Sequence, residues 1–256
     1  MNVLLEANKV SKIYNYHHDN EVKALDNISF TIYENDFICV MGPSGSGKST
    51  LLNVLSTLDQ DIFGSVKIHE REIKKMSEIE ITEFRSHHLG YVFQDYQLLD
   101  EISIMDNILL PLAVRNEKEA IAMQQCKKIA EKLNISMILN KLPKECSGGQ
   151  CQRGAIARAL VSQPDLIVMD EPTGNLDSNN SHEIMSMIRQ INDVDGNTIL
   201  MVSHDSAMAS YAKKVVFIRD GKIDAVLHRA DKKQQTFFQE IVSENSKESF
   251  KTFQTN

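Results

Sequence analysis

The feature that most limits what this chain can become is the run GPSGSGKST, from Gly42 to Thr50. It follows DFICVMG, whose continuous apolar stretch reads as a strand buried on both faces. It precedes STLLNVLSTL, whose leucines recur at helical spacing. Strand, glycine loop and helix, in that order, are the context in which G-x-x-x-x-G-K-[ST] cradles phosphates. Across Gly42, Pro43, Ser44, Gly45, Ser46 and Gly47 the glycines would let successive backbone N–H groups, which Pro43 alone lacks, curl around phosphate oxygens. Lys48 would reach the β- and γ-phosphates, and the Ser49 hydroxyl would ligate Mg²⁺, with Thr50 beside it. The expected ligand is a nucleoside triphosphate.

A second segment complements the loop. LIVMDE is an apolar strand that stops at Asp170 and Glu171. Carboxylates at the carboxyl edge of a parallel sheet lie where phosphates bind. Asp170 is expected to hold Mg²⁺ through water, and Glu171 to polarise a water for attack on the γ-phosphate. His204 ends the apolar run TILMVSH and could touch the γ-phosphate or that water. Gln94 ends GYVFQ and offers a neutral oxygen to Mg²⁺ or water. Either could equally be structural when taken alone; their shared placement at strand ends is the argument.

Around these motifs, strand-like runs alternate with helical ones. ALDNISFTI and GSVKIHE read as strands, and SEIEITEFRSHHL as a polar helix. From about Ser103 to Ser162 the chain reads as mostly helical, then DLIVMD, NTILMVSH and the hairpin KVVFIRDGKI alternate with helices. TFFQEIV is expected to be a docked amphipathic helix followed by a frayed tail. The pattern predicts an α/β fold with a mainly parallel sheet and an inserted helical subdomain. One domain is expected over 1–256: a nucleotide-binding core with a β subdomain at 1–94 and 163–227, a helical subdomain at 95–162, and a C-terminal helix and tail at 228–256.

Inside the helical region lies CSGGQCQR, from Cys146 to Arg153. Adjacent glycines are poor helix formers, yet GAIARALV reads as a helix body. A Ser-Gly-Gly helix start exposes backbone N–H groups that suit an anion. A chain with one phosphate loop needs no second. The surplus is explained if two copies associate head to tail, each lending Ser147 and Gly149 to the other's γ-phosphate. The plainer alternative is a helix N-cap by Ser147.

Taken in order, Gly42 to Thr50, Gln94, SGGQ at Ser147, Gly148, Gly149 and Gln150, LIVMDE, NLD ending at Asp177, and His204 resemble the motifs of an ATP-binding-cassette (ABC) ATPase. The resemblance spans nearly the whole chain. It implies a P-loop NTPase core with an antiparallel β subdomain and a helical signature subdomain, and the cofactors ATP and Mg²⁺. It implies that Tyr14 stacks on adenine, that Asp177 couples the two sites, and that Gln94 is a hinge toward a membrane partner. The family usually has Leu or Ile where Cys146 stands, and often Lys or Gln in place of Cys151. Finer wording, in TLLNVLSTLD, NILLPL, DEPTGNLDS and QQTFFQEI, is similar to the macrolide and lipoprotein-release group, and most to bacitracin- and lantibiotic-resistance transporters of Gram-positive bacteria. That likeness implies an integral-membrane permease carrying two ATPase copies, antimicrobial-peptide resistance, and signalling through the permease to a sensor histidine kinase. Lipoprotein, macrolide or cell-division permeases remain the alternative.

Composition narrows the remaining classes. The net charge of −7 argues against a general nucleic-acid binder. The four cysteines form no C-x-x-C pair and read as reduced thiols of a cytosolic protein. Charge at Glu6 and Lys9 comes too early for a signal-peptide core. No apolar run reaches the roughly 20 residues that span a bilayer, so the chain is expected at the cytoplasmic face of the membrane, held through its permease. A cytosolic cassette protein with no membrane partner would carry two cassettes in one chain or a long coiled-coil insertion, and this sequence has one cassette and no sustained heptads. A switch GTPase would want N-K-x-D, and neither it nor a single-site kinase would explain CSGGQ.

Overall fold

The computed structural model describes residues 2–17 and 20–254, with side chains through residue 247. The chain forms two compact units, Met1–Lys75 with Leu200–Asn256, and Met76–Ile199.

The first unit begins with β1 (Val3–Tyr14) and β2 (Val22–Tyr33), paired antiparallel with Tyr14 opposite Val22 and Val3 opposite Tyr33. After β3 (Phe37–Met41) and α1 (Lys48–Leu55) come β4 (Phe63–Ile68) and the short β5 (Arg71–Glu72). The order β2-β1-β4-β5 makes an antiparallel sheet. Strand β1 is central to it, although its sequence does not announce a strand. The register shifts between Ala7 and Val10, and Lys9 takes a left-handed φ of 51°. A bulge of this kind breaks the period-2 alternation by which a half-buried strand is recognised. β3 is the opposite case: all five residues of FICVM are buried, as its unbroken apolar run predicts.

The second unit contains α2 (Glu78–His88), β6 (Leu89–Val92), α3 (Ile104–Val114), α4 (Glu119–Lys132), α5 (Gly148–Leu160), β7 (Leu166–Asp170) and α6 (Ser178–Asp195). β6 and β7 run parallel, from Leu89 beside Leu166 to Val92 beside Met169. α5 packs closely on β6, because a Cβ on Gly90 would lie 2.4 Å from the Ala159 carbonyl oxygen. Helix starts follow their caps. Ser77 and Glu80 form a capping box on α2, Ser103 caps α3 and Asp177 caps α6. Gly196, in the left-handed region, stops α6.

β8 (Thr198–Val202) carries the chain back into the first unit, followed by α7 (Ser206–Ala209), β9 (Lys214–Arg219), β10 (Lys222–His228) and α8 (Gln234–Gln254). There β10, β9, β3 and β8 are neighbours in that order, with β3 parallel to β9 and β9–β10 an antiparallel hairpin. α8 docks through the fully buried Phe237 and Ile241. Burying one such side chain stabilises by about 1.5–3 kcal/mol. The helix extends past TFFQEIV, and the end of the expected tail, residues 255 and 256, lies outside the described residues. The helix continues to Gln254, anchored on the way by Arg219, whose guanidinium donates to the Glu244 carbonyl at 2.8 Å. Among the described residues no helix is long and apolar enough to cross a membrane.

Candidate nucleotide site

The two units carry different parts of the predicted machinery. In the first, the loop between β3 and α1 is shaped by its glycines. Gly47 has φ 100°, and a Cβ there would come 2.3 Å from the Ala24 carbonyl oxygen. A Cβ on Gly42 would come 2.1 Å from that of Ile218. Neither place admits a side chain, so the loop presents backbone rather than side-chain bulk. Gly45, also at positive φ, faces open space: a Cβ there would meet nothing within 4 Å. Gly221, in the turn between β9 and β10, ties the loop down. Its N–H donates to the Ser46 carbonyl at 3.1 Å, and its own carbonyl accepts from Asp26 N–H at 2.8 Å.

Gly47 is the N-cap of α1 and supplies no side-chain cap, and the first turn holds no acidic residue. The helix start therefore keeps N–H groups and dipole available to an anion. The Ser46 hydroxyl is buried and has no hydrogen-bond partner. Lys48 donates to the Pro43 carbonyl at 2.8 Å, folding its ammonium over the loop. Ser44 and Ser49 are exposed or half-buried, as are Pro43 and Thr50. A backbone-lined loop, a bare helix start, a lysine and an orphan hydroxyl fit a polyphosphate.

His204 lies two residues past the end of β8 rather than on it, and is exposed. Its loop is fixed by Ser203, whose N–H donates to the Val40 carbonyl of β3 at 3.2 Å and whose hydroxyl accepts from Asp205 N–H at 3.1 Å. Tyr14 closes β1 with 40% of its surface exposed.

In the second unit, Asp170 ends β7 and Glu171 follows it in a left-handed conformation, φ 44°. Such a φ is uncommon for a residue with a long side chain. Asp170 also acts on Tyr91: burial first, and then this carboxylate, push the phenol pKa far up. Gln94 stands two residues past β6 and is exposed. The Asn175 side chain donates to the Gln94 carbonyl at 3.2 Å and to Asp95 Oδ1 at 2.9 Å, and Gly174 leaves room for the Gln94 amide. Asp177 accepts from Asn180 through N–H at 3.0 Å and through the side-chain amide, which hold its carboxyl below the ordinary range.

The start of α5 is closed by a reciprocal cap. Ser147 Oγ accepts from Gln150 N–H at 3.3 Å, and Gln150 Oε1 accepts from Ser147 N–H at 3.0 Å. Gly148 and Gly149 are the first-turn amides that this cap does not use. Their lack of side chains has a packing reason too. A Cβ on Gly148 would meet the Tyr96 hydroxyl at 2.9 Å, and one on Gly149 the Asn180 side chain at 3.2 Å. Cys146, just ahead of the cap, and Cys151, inside α5, donate to the Leu142 and Pro143 carbonyls, and burial raises both thiol pKa values. Tyr96 thus lies against Gly148, Asn180 lies against Gly149 and bonds Asp177, and Asn175 holds the backbone of Gln94. Sequence reasoning did not single out those three residues, because nothing in their spacing marks them.

Loop, parallel strands and strand-end carboxylates define a phosphate-loop protein of the α/β class. The family model for the ABC transporter matches residues 25–174. The bacitracin export ATP-binding protein BceA of Halalkalibacterium halodurans is 42% identical over 93% of this chain and 94% of its own. The ABC transporter ATP-binding protein YxdL of Bacillus subtilis is likewise 42% identical, over 93% of this chain and 92% of its own. Among solved structures, the dimeric post-hydrolysis state of the ATP-binding cassette MJ0796, bound to ADP and Pi, matches with a TM-score of 0.80 at 31% identity, covering 88% of this chain and 98% of that one. This chain belongs to the ABC transporter family, as an ATP-binding subunit.

Proposed function

We propose that the protein binds and hydrolyses ATP to power an integral-membrane permease in antimicrobial-peptide resistance, at the cytoplasmic face of the membrane. The observation that carries the nucleotide reading is the phosphate loop, where two glycines are required by backbone carbonyls and a bare helix start follows. The peptide reading is supported by the relative named for bacitracin export.

In this reading, loop residues 42–47 and Lys48 hold the triphosphate, and Tyr14 stacks on adenine. Ser49, Gln94 and Asp170 offer hydroxyl, amide and carboxylate oxygens, the donor set that suits Mg²⁺. The ion, when bound, neutralises charge on the phosphates. Glu171 accepts a proton from water as it attacks the γ-phosphorus; the bond to the bridging oxygen breaks, giving ADP and phosphate. His204 and Gln94 orient that water. A second copy completes the site with the Ser147 corner and the free amides of Gly148 and Gly149, Gln150 holding the cap. A dimeric relative supports this association, and Asp177 would couple the two sites.

The test is a strain lacking this gene, complemented with wild type or Lys48→Ala. Wild type should restore growth on bacitracin and co-purify with the adjacently encoded permease, and Lys48→Ala should co-purify without restoring growth. Wild-type complementation with no change in peptide tolerance would return the cargo to the lipoprotein or macrolide alternative.

A further inference from the structure

Lys12 occupies an improbable place for a cation. It lies on β1 two residues before Tyr14, beside a register shift between Lys12 and Ile13. Its side chain is only 6% exposed. The ammonium donates to Asp59 Oδ1 at 2.9 Å, to the Asp61 carbonyl at 2.7 Å and to Asp61 Oδ2 at 3.2 Å. It also stands over the Tyr14 ring, 5.0 Å from the centroid. Burial lowers the pKa of such a group, but the bonds to Asp59 and Asp61 outweigh it and the net shift is upward. The charge is therefore present at every physiological pH.

A buried ammonium is costly unless its donors are matched, and a methionine would fill the same space without that requirement. What the charge adds is two attachments. One is to the aromatic ring, which an adjacent cation holds and polarises. The other is to the segment leaving α1, where Asp59 N–H is itself bonded to the Asn53 carbonyl at 3.1 Å. α1 is the helix that starts at Lys48.

We propose that Lys12 is a positioning residue for the nucleobase: its ammonium fixes the Tyr14 ring and ties it to the chain after α1, setting the distance between stacked base and bound triphosphate. The inference rests on the reading of Tyr14 as the base-stacking residue. The ring's exposed surface is left for the base, and a cation behind a phenol draws electron density from it. That favours stacking by an electron-rich purine.

Calorimetric titration with Mg-ATP and with Mg-ribose-5-triphosphate, which lacks the base, separates the effects. Lys12→Met should weaken ATP binding by about threefold to tenfold and leave ribose-5-triphosphate binding unchanged. Lys12→Arg should restore most of the loss. Lys12→Met/Asp59→Asn, which removes the ammonium and the more buried of its two carboxylate partners, serves as a second variant should Lys12→Met fold poorly, with the same base-dependent loss expected. Equal weakening of both ligands, or no change for ATP, would overturn the proposal. Tyr14→Ala distinguishes the two levels: if it also fails to alter the ratio between the ligands, the base-stacking reading falls with it. If Tyr14→Ala alters the ratio and the Lys12 variants do not, only the present inference is lost.

Discussion

Ser147 and Gln150 satisfy each other's backbone amides at the start of α5, the serine hydroxyl taking Gln150 N–H and the glutamine oxygen taking Ser147 N–H. A hydroxyl engaged this way has a structural duty that must be separated from any duty toward a nucleotide. Ser147→Ala should cost about 1 kcal/mol of stability, the usual value of a lost cap. If Ser147 also completes the partner's site, ATP turnover should fall by a far larger factor, about 100-fold. Thermal melts beside steady-state hydrolysis would show the split; a turnover loss no greater than the stability loss would reduce Ser147 to a cap.

Gly47→Ala should be strongly destabilising. The backbone is left-handed and the new Cβ would sit 2.3 Å from the Ala24 carbonyl. Strain of this kind costs about 1–3 kcal/mol before the clash is counted. A denaturation midpoint unchanged from wild type would contradict the geometry of the loop.

Lys48→Ala should behave differently from Gly47→Ala. The ammonium's bond to the Pro43 carbonyl is only part-buried, so the melting temperature should move little while nucleotide affinity collapses. Equilibrium binding of ATP at wild-type strength would remove the loop from the mechanism.

Glu171 offers a trade between stability and activity. It holds a left-handed φ of 44°, a conformation costing roughly 1–2 kcal/mol for residues with a Cβ. Glu171→Gly should melt at or above the wild-type temperature while hydrolysing at least about 100-fold more slowly. Glu171→Gln should lose the same activity, keep the strain, and yield an ATP-stabilised dimer in size-exclusion chromatography. Wild-type turnover in either would exclude Glu171 as the base.

Asp177 carries a pH prediction. Its folded pKa lies below the ordinary value of 3.8, through the Asn180 N–H first and the Asn180 side chain next. A depressed carboxyl contributes stability above the unfolded pKa, and that contribution is lost as pH falls through the folded value. Asn180→Ala, which removes the side-chain amide and keeps the backbone N–H, should bring the Asp177 titration, followed by NMR, partway back toward 3.8. It should also shrink the stability lost on acidification below about pH 4. An unmoved titration would show that the Asn180 side chain is not a cause, since alanine keeps the backbone N–H.

The parts legible in the sequence were those whose physics is local. The buried strand before Gly42, the loop glycines and the helix after them, the apolar run ending at Asp170, and the Ser-Gly-Gly helix start are each specified within about ten residues. Strand β1 was not legible, since its bulge at Lys9 hides the alternation. Nor was the extent of α8 beyond Val242, where docking by Phe237 and the Arg219 contact carry a polar helix further than its own pattern suggests. Lys12, Tyr96, Asn175 and Asn180 escaped for a different reason. Each matters through a neighbour distant in sequence, and one chain read alone carries no sign of such pairs.

The attachment of Gly221 to both Ser46 and Asp26 has a consequence for biosynthesis. A nascent chain possesses the letters of the phosphate loop as soon as Thr50 is added, but the strut that braces them arrives much later. Until Gly221 has left the ribosome's exit tunnel, the loop lacks that brace. The braced form of the loop is therefore a late acquisition during synthesis, and fragments that end before residue 221 should hold nucleotide less firmly than chains that include it.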